Sequence, residues 1–278
     1  MRGWVWVVLV GCSSPDTVPR DAPTTPDAFA DGDGDGIADV VDLCPGLASP
    51  DNGDQDSDLK GDPCDPCPHL SANTDADGDG VGDACDPHPT QPIDRRAAFY
   101  AFYNSASIAG WGQTNTSGGI WTVSTGKLRV NALSGTATIL SPDIFGADVT
   151  VTALIDVTSL STSQTVHRTA GIRVQRNLPT VMFHKCVLDQ IATTAVVNYQ
   201  IVNMAGTGGS ATTNYANPVV ANSHDYRLGF SAMTGTCGVD GPTNTFNQAS
   251  GAPAPSQVGF SVELASVAVE YMFVVESN

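Results

Sequence analysis

Long apolar runs, basic charge and glutamate are all scarce in this 278-residue chain. No stretch of eighteen apolar residues occurs, which excludes a membrane-spanning helix. Lysine and arginine total 12 against 29 acidic residues, giving a formal net charge of −17. Nucleic-acid binding needs a basic face, so no nucleic-acid partner is expected. GxGxxG, phosphate-loop and nucleophile-elbow patterns are missing, and with them the sequence signals for dinucleotide, nucleotide and α/β-hydrolase chemistry. Residues 31–86 hold no aromatic residue and few large aliphatics. A segment that poor in core material folds only with metals or disulfides.

What that segment holds instead is aspartate. Residues 31–86 carry sixteen aspartates and one lysine, net −15, whereas residues 97–278 are net −2. In three places an aspartate recurs at every second position. Counting each run from its first aspartate, Asp31, Asp33, Asp35, Asp39 and Asp42 fall at steps 1, 3, 5, 9 and 12. Asp54, Asp56, Asp58, Asp62 and Asp65 repeat those steps, as do Asp75, Asp77, Asp79, Asp83 and Asp86. This is the ligand spacing of a twelve-residue calcium loop, in which step 7 supplies a backbone carbonyl. Step 7 is Ile37, Lys60 and Val81. Step 6 turns sharply and suits glycine: Gly36 and Gly80 comply, Leu59 does not. Two unit charges ~4 Å apart repel by roughly 4 kcal/mol at an effective dielectric of ~20. Five carboxylates converging on one centre therefore need a cation, and calcium is expected as a condition for the fold here.

The cysteines point the same way. Cys44, Cys64, Cys67 and Cys85 sit at the ends of the loops, and the natural pairs are Cys44–Cys64 and Cys67–Cys85. Each would contribute roughly 3 kcal/mol by chain entropy. Seven cysteines are an odd number. Met1-Arg2-Gly3 and the apolar Trp4–Val10 read as an export signal, and Leu9-Val10-Gly11-Cys12 resembles a bacterial lipobox. Residues 1–11 are then a lipoprotein signal peptide, Cys12 is lipidated, and 12–30 is a disordered linker. That leaves Cys186 and Cys237 to pair with each other, in an oxidising compartment. The expected location is the bacterial outer membrane or cell surface, with the lipid as the only membrane attachment.

With Asp42-Leu43-Cys44-Pro45 and Gly82-Asp83-Ala84-Cys85-Asp86, residues 31–86 resemble thrombospondin type 3 repeats, the main departure being Leu59. The resemblance implies calcium loops stapled by disulfides. Dockerin-type loops lead into helices, which Pro45, Pro63, Pro66 and Pro68 exclude here.

Residues 87–96 read as a proline-rich joint. From 97 to 278 the texture is that of strands. Ile120–Val123 and Leu128–Val130 flank a hairpin turn. Val149, Val151, Ala153, Ile155 and Val157 alternate with mostly polar residues, as do Ile172 and Val174, and Tyr226, Leu228 and Phe230. At the end Val267, Val269, Tyr271, Phe273 and Val275 form one alternating set, with Glu270 and Glu276 on the other, solvated face. About ten to twelve strands are expected, in one antiparallel β-sandwich. Gly119-Ile120-Trp121-Thr122-Val123, Arg168–Val174, Tyr226–Phe230 running into Cys237–Gly241, and Val258-Gly259-Phe260 resemble, in their order, a concanavalin A-like lectin/glucanase jelly roll. The expected fold class is mostly β: an irregular, disulfide-stapled calcium-repeat module followed by an antiparallel jelly-roll sandwich.

The resemblance implies a lectin-like or adhesion head, with a glycan or an envelope or matrix protein as partner. Glycoside hydrolases share the fold and are the alternative. Laminarinase-type glucanases carry Glu-x-Asp-x-Glu on one strand, which Glu263, Glu270 and Glu276 do not form. Nothing in the spacing of Asp156 and Asp189 pairs them. His167, His184 and His224 lack metal-ligand spacing. No catalytic residue is therefore assigned, and no enzyme activity is expected. Trp121 reads as core; Trp111, Tyr199 and Tyr215 are considered for stacking on sugar rings.

Overall fold

The computed structural model describes residues 30–117, 119–176, 182–203, 209–231, 234–247 and 256–278. The lipobox stretch and Cys12 lie outside the described residues. The described part of 97–278 is a sandwich of two antiparallel sheets, with strands numbered in chain order. The first sheet, A, runs β13 (Asn244–Asn247), β12 (Thr234–Val239), β11 (Asn222–Ser231), β6 (Val149–Leu160), β15 (Ala265–Ser277), β4 (Lys127–Asn131) and β3 (Thr122–Ser124). Beside β4, β1 (Asp94–Ala101) pairs with the C-terminal half of β15. The second sheet, B, runs β10 (Ser210–Tyr215), β9 (Thr194–Asn203), β8 (Met182–Ile191), β7 (Arg168–Arg176), β14 (Ser256–Glu263), β5 (Thr136–Leu140) and β2 (Gly112–Thr116). Fifteen strands are described rather than ten to twelve, because short segments such as β2 and β3 pair at the sheet ends. The first strand, β1, opens at Asp94, inside the stretch read as a joint.

Alternation places the core. Val149, Val151, Ala153, Ile155 and Val157 of β6 are buried, facing Ile172, Val174, Phe260 and Val262 of sheet B. Each fully buried side chain of this size contributes roughly 1.5–3 kcal/mol. Trp121 lies in this core, 6.1 Å from the Phe260 ring. Cys186 of β8 is bonded to Cys237 of β12, with 5.5 Å between their Cα atoms, so one covalent link joins the two sheets through the core.

The last strand departs from its sequence pattern. Val269 pairs with Ile155 and Tyr271 with Leu154, which leaves Glu270 as the extra residue of a β-bulge. Parity flips there. Before it Val267 and Val269 face the core; after it Met272 and Val274 do, while Phe273 and Val275 point outward. Glu270 is not simply solvated, because Lys127 bridges it to Asp156. Glu276 is buried rather than exposed: it accepts the Gly146 N–H at 2.6 Å and pairs with Arg95. A strand buried on both faces reads as nearly continuous apolar sequence, and β15 is buried on both faces because the repeats cover its outside.

Residues 30–93 form no strand in the described structure. Three turn-built loops follow one another, with Cys44 bonded to Cys64 and Cys67 to Cys85. The third loop is pressed onto sheet A. Cys67, Val81 and Cys85 bury against Phe273 and Val275, with Phe99 at the margin. His69 lies 4.9 Å from the Tyr271 ring and 5.3 Å from that of Phe273. Arg96 of β1 donates to the carbonyls of Pro63 and Asp65, at 3.2 and 2.8 Å. Tyr103 donates to Asp62 at 2.6 Å. Among the described residues, every hydrogen bond and ring contact from the repeats to the sandwich lands on β1, the turn after it, or β15.

Candidate functional site

The three aspartate loops have one design. The step-1 carboxylate accepts the step-6 N–H: Gly36 to Asp31, Leu59 to Asp54 and Gly80 to Asp75, each at 3.0 Å. The step-5 carboxylate accepts the N–H of step 7, from Ile37, Lys60 and Val81, at 2.8, 2.9 and 3.0 Å. The step-9 carboxylate reaches back to the step-2 N–H: Asp39 to Gly32, Asp62 to Gln55 and Asp83 to Ala76, each at 2.8 Å. These bonds draw the carboxylates of steps 1, 3 and 5 to within 4.8 Å of one another in every loop. Such a backbone needs left-handed residues. Gly36 and Gly80 have φ of 97° and 94°, and Leu59 adopts the same region at 76°. For a side chain with a Cβ this costs roughly 1–2 kcal/mol.

Calcium fits these loops on one observation. At step 3 and step 12 of all three loops, one carboxylate oxygen is buried without a hydrogen-bond partner: the Oδ2 atoms of Asp33 and Asp42, Asp56 and Asp65, Asp77 and Asp86. Buried polar atoms are almost always paired. Six orphans at the same two steps are acceptors of the kind a hard, oxygen-seeking cation takes up. The electrostatics agree. Burial, then the charge of Asp58, pushes the Asp56 carboxyl up to about 6. Burial, then the neighbouring Asp94, pushes Asp86 up to about 7.

One acidic residue of this centre was not visible as such in the sequence. The second oxygen of each step-5 aspartate accepts a donor fourteen or fifteen residues on: Ser49 N–H on Asp35 at 2.9 Å, the Asn73 amide on Asp58, and Asp94 N–H on Asp79 at 2.9 Å. The third of these residues brings a carboxylate of its own, within 4.8 Å of those of Asp79 and Asp86. Asp94 is also the first residue of β1, held by Ser277 and by His88 Nδ1 at 3.0 Å. The acid end of the repeats is thereby built into the edge of the sandwich.

With the repeats on sheet A, the outer face of sheet B is the other candidate surface. Inter-strand register sets it out in rows across β14, β7, β8 and β9. The first is Glu263, Thr169, Asp189 and Val196; the second Ser261, Gly171, Val187 and Asn198. The third is Gly259, Arg173, Lys185 and Gln200; the fourth Gln257, Gln175, Phe183 and Val202. Thr169, Asp189, Val187, Asn198 and Ser261 are buried although they point away from the sandwich core. The face is therefore a sheltered strip, here called the recess, and not an exposed plane. Its floor is bare at Gly171 and Gly259, where a Cβ would sit 2.1 Å from the Cys186 carbonyl oxygen and 1.9 Å from that of Ile139. At one end Asp189 accepts from Asn198 at 3.0 Å and lies 2.9 Å from His167 Nδ1. At the other, the Arg173 guanidinium lies 3.9 Å from the centre of the Phe183 ring.

Several candidates from the sequence fall elsewhere. Asp156 is on sheet A and Asp189 on sheet B, so they cannot pair. Trp111 and Tyr199 are buried core residues with no open ring face for a sugar. Tyr215 is bound to Asp240 and lies 3.0 Å from His224 Nδ1. His184 is buried against Tyr199 and Phe230, and His224 against Asp240 and the Val219 carbonyl; both brace the sandwich. Sequence reasoning found the loops because ligand spacing is local. The recess joins residues of four strands, and only register makes neighbours of Arg173 and Lys185.

Comparison with known proteins follows this division. Residues 30–52 and 74–88 match the thrombospondin type 3 repeat, and the match omits the middle loop that carries Leu59. No curated protein matches the chain in sequence. Among solved structures, a non-specific endo-β-1,3(4)-glucanase of family GH16 is similar at 12% identity and a TM-score of 0.51, over 68% of this chain and 93% of that one. Porphyranase B from Zobellia galactanivorans is similar at 7% identity and a TM-score of 0.50, over 69% and 96%. A GlcNAcα1-4Gal-releasing endo-β-galactosidase from Clostridium perfringens is similar at 6% identity and a TM-score of 0.51, over 67% and 64%. At these identities the likeness is one of fold: the repeats are followed by a jelly-roll sandwich of the glucanase kind.

Proposed function

We propose that this chain is an exported, calcium-binding surface protein whose sandwich is a non-catalytic glycan-binding or adhesion head. Calcium is held by Asp31, Asp33 and Asp35, by Asp54, Asp56 and Asp58, and by Asp75, Asp77 and Asp79, with Asp42, Asp65 and Asp86 at the closing positions. Asp94 adds a carboxylate to the third loop. Bound there, the ion supplies positive charge to carboxylates that otherwise repel. Three disulfides support an oxidising, extracellular setting. The lipobox-like Leu9–Cys12 supports a lipid anchor at Cys12, with residues 12–30 as tether and the bacterial outer membrane or cell surface as address.

The observation that carries the reading is the division of faces. The repeats occupy sheet A, so the head presents the recess of sheet B, which combines buried amides, cations, an aromatic ring and a bare floor. Polar groups converging in a concavity are what a sugar ligand requires. A glycan-array screen of the full chain, in calcium and in chelator, tests it. Binding in both conditions is expected, because no described residue of the recess belongs to the repeats. No binding in either condition would sink the glycan reading.

One observation favours a hydrolase as second reading. Asp189 and Glu263 share a row of the recess two strands apart, about 10 Å between their Cα atoms at ~4.8 Å per strand. An inverting glycosidase separates its two carboxyl groups by roughly 6.5–9.5 Å. Reducing ends released from a bound polysaccharide, and lost in both Asp189→Asn and Glu263→Gln, would establish that reading over the first.

A further inference from the structure

The recess is electrically lopsided. Its acid end holds Glu263 and Asp189, and its opposite end holds Arg173 and Lys185 directly across from each other on β7 and β8. Like charges placed opposite on neighbouring strands destabilise a sheet, so this pair is held against its own repulsion. Among the described residues neither cation forms an ion pair. Arg173 donates one hydrogen bond, to Gln175 Oε1 at 2.8 Å, and its Nε is buried without an acceptor. What fixes the two cations is the Phe183 ring, 3.9 Å from the Arg173 Cζ and 5.4 Å from the Lys185 Nζ. Stacking positions a guanidinium without consuming its donors.

We propose that Arg173 and Lys185 form a subsite for the anionic group of an acidic polysaccharide, a uronate carboxylate or a sulfate ester. This rests on the reading of the recess as a glycan site and adds the ligand's charge to it. Guanidinium donors match the oxygens of either group in a bidentate fork, and Lys185 adds a second positive charge. Gln175, paired with Gln257 across β7 and β14, holds Arg173 through its Oε1 and keeps its amide N–H groups beside the subsite, while Gln257 donates to the Ser141 carbonyl at 2.9 Å. Glu263 and Asp189 repel an anion at the other end, so the charged group lies over Arg173 and a neutral part of the chain lies over the glycine floor. The acidic repeats do not oppose this. They sit on sheet A, across about 10 Å of packed sheet, and salt in the surrounding solvent weakens their field with a decay length of ~8 Å.

The test is affinity electrophoresis of the full chain in calcium through gels containing polygalacturonate (uronate), dextran sulfate (sulfate) or laminarin (neutral). The wild type is expected to bind at least one acidic polymer ten-fold or more tightly than laminarin, and whichever acid is preferred identifies the group. The double variant Arg173→Gln/Lys185→Gln is expected to lose at least ten-fold of that binding. Lys185→Gln alone, which keeps the Arg173–Phe183 stack, should move in the same direction and serves if the double variant fails to fold. Arg129→Gln, on sheet A, is expected to bind like the wild type. Undiminished binding of acidic polymers by folded Arg173 and Lys185 variants would overturn the subsite, as would an equal loss in Arg129→Gln. Binding of laminarin in preference to both acids would overturn the subsite and leave the glycan reading standing. Failure to bind any polymer would overturn both.

Discussion

The repeats and the sandwich solve the problem of folding with opposite materials. The sandwich buries Trp121, Leu128, Ile155, Ile172 and Phe260 between two sheets, and one disulfide spans that core. The repeats have almost no apolar side chains to bury. They gather carboxylates, leave six of their oxygens buried without partners, and close the chain with two disulfides. The first construction rests on its own packed side chains; the second leaves acceptors of the kind a cation takes up. The two meet where Cys67, Val81 and Cys85 cover Phe273 and Val275. There three side chains of the repeats and two of the sandwich, with Phe99 at the margin, make one small shared core.

If that division is right, damage to one region should stay there. Replacing Cys186 and Cys237 together by alanine removes a link closing 51 residues, worth about 4 kcal/mol by chain entropy. The thermal transition of the sandwich should fall accordingly, while calcium titration of the repeats keeps its midpoint. A shifted calcium midpoint would break the comparison.

A smaller effect is expected inside the repeats. Leu59 holds at φ 76° a backbone that Gly36 and Gly80 adopt without strain. Its side chain is 79% exposed, so it gives little in return. Leu59→Gly should stabilise the middle loop by about 1 kcal/mol, less the entropy glycine adds to the unfolded chain. Read by calcium titration, this loop should bind up to about five-fold more tightly. Unchanged affinity would mean that the loop is not strained.

A third effect, felt only in acid, belongs to the seam. Burial, and then the charge of Arg227, pushes His69 down to about 4. A histidine whose folded pKa lies below its unfolded ~6.5 stabilises the fold fully above pH 6.5 and loses that contribution as pH falls toward 4. In calcium, His69→Phe should keep the aromatic contact with Tyr271 and Phe273 and flatten the acid side of the stability profile between pH 6.5 and 4. An acid limb as steep as the wild type's would place that sensitivity in the carboxylates instead.

The same contrast explains what could be read from the sequence. The aspartate loops were legible as repeats, because their fixed spacing is local, and the carboxylates of steps 1, 3 and 5 do gather in each loop. Even the doubtful loop was marked by Leu59. The strands were legible as alternation, and the hairpin at Ser124–Lys127 stands where it was expected. The last strand misled, because the bulge at Glu270 reverses which residues face inward and an added layer buries the outer ones. Glu276 therefore looked solvated and is buried. Asp94 looked like part of a joint and stands beside the third loop's carboxylates. The recess was not legible at all, since Arg173 and Lys185 become neighbours only through strand pairing.

Amide hydrogen exchange of the full chain, in saturating calcium and in chelator, tests the central claim most directly. Removal of the ion should strip protection from residues 31–86, including the step-6 and step-7 amides that Asp31, Asp35, Asp75 and Asp79 now hold. Protection in β6, β7 and β14 should survive, with modest loosening at β1 and the outward half of β15. Repeats that stay protected in chelator would contradict the account, and so would a sandwich that loses its protection together with them.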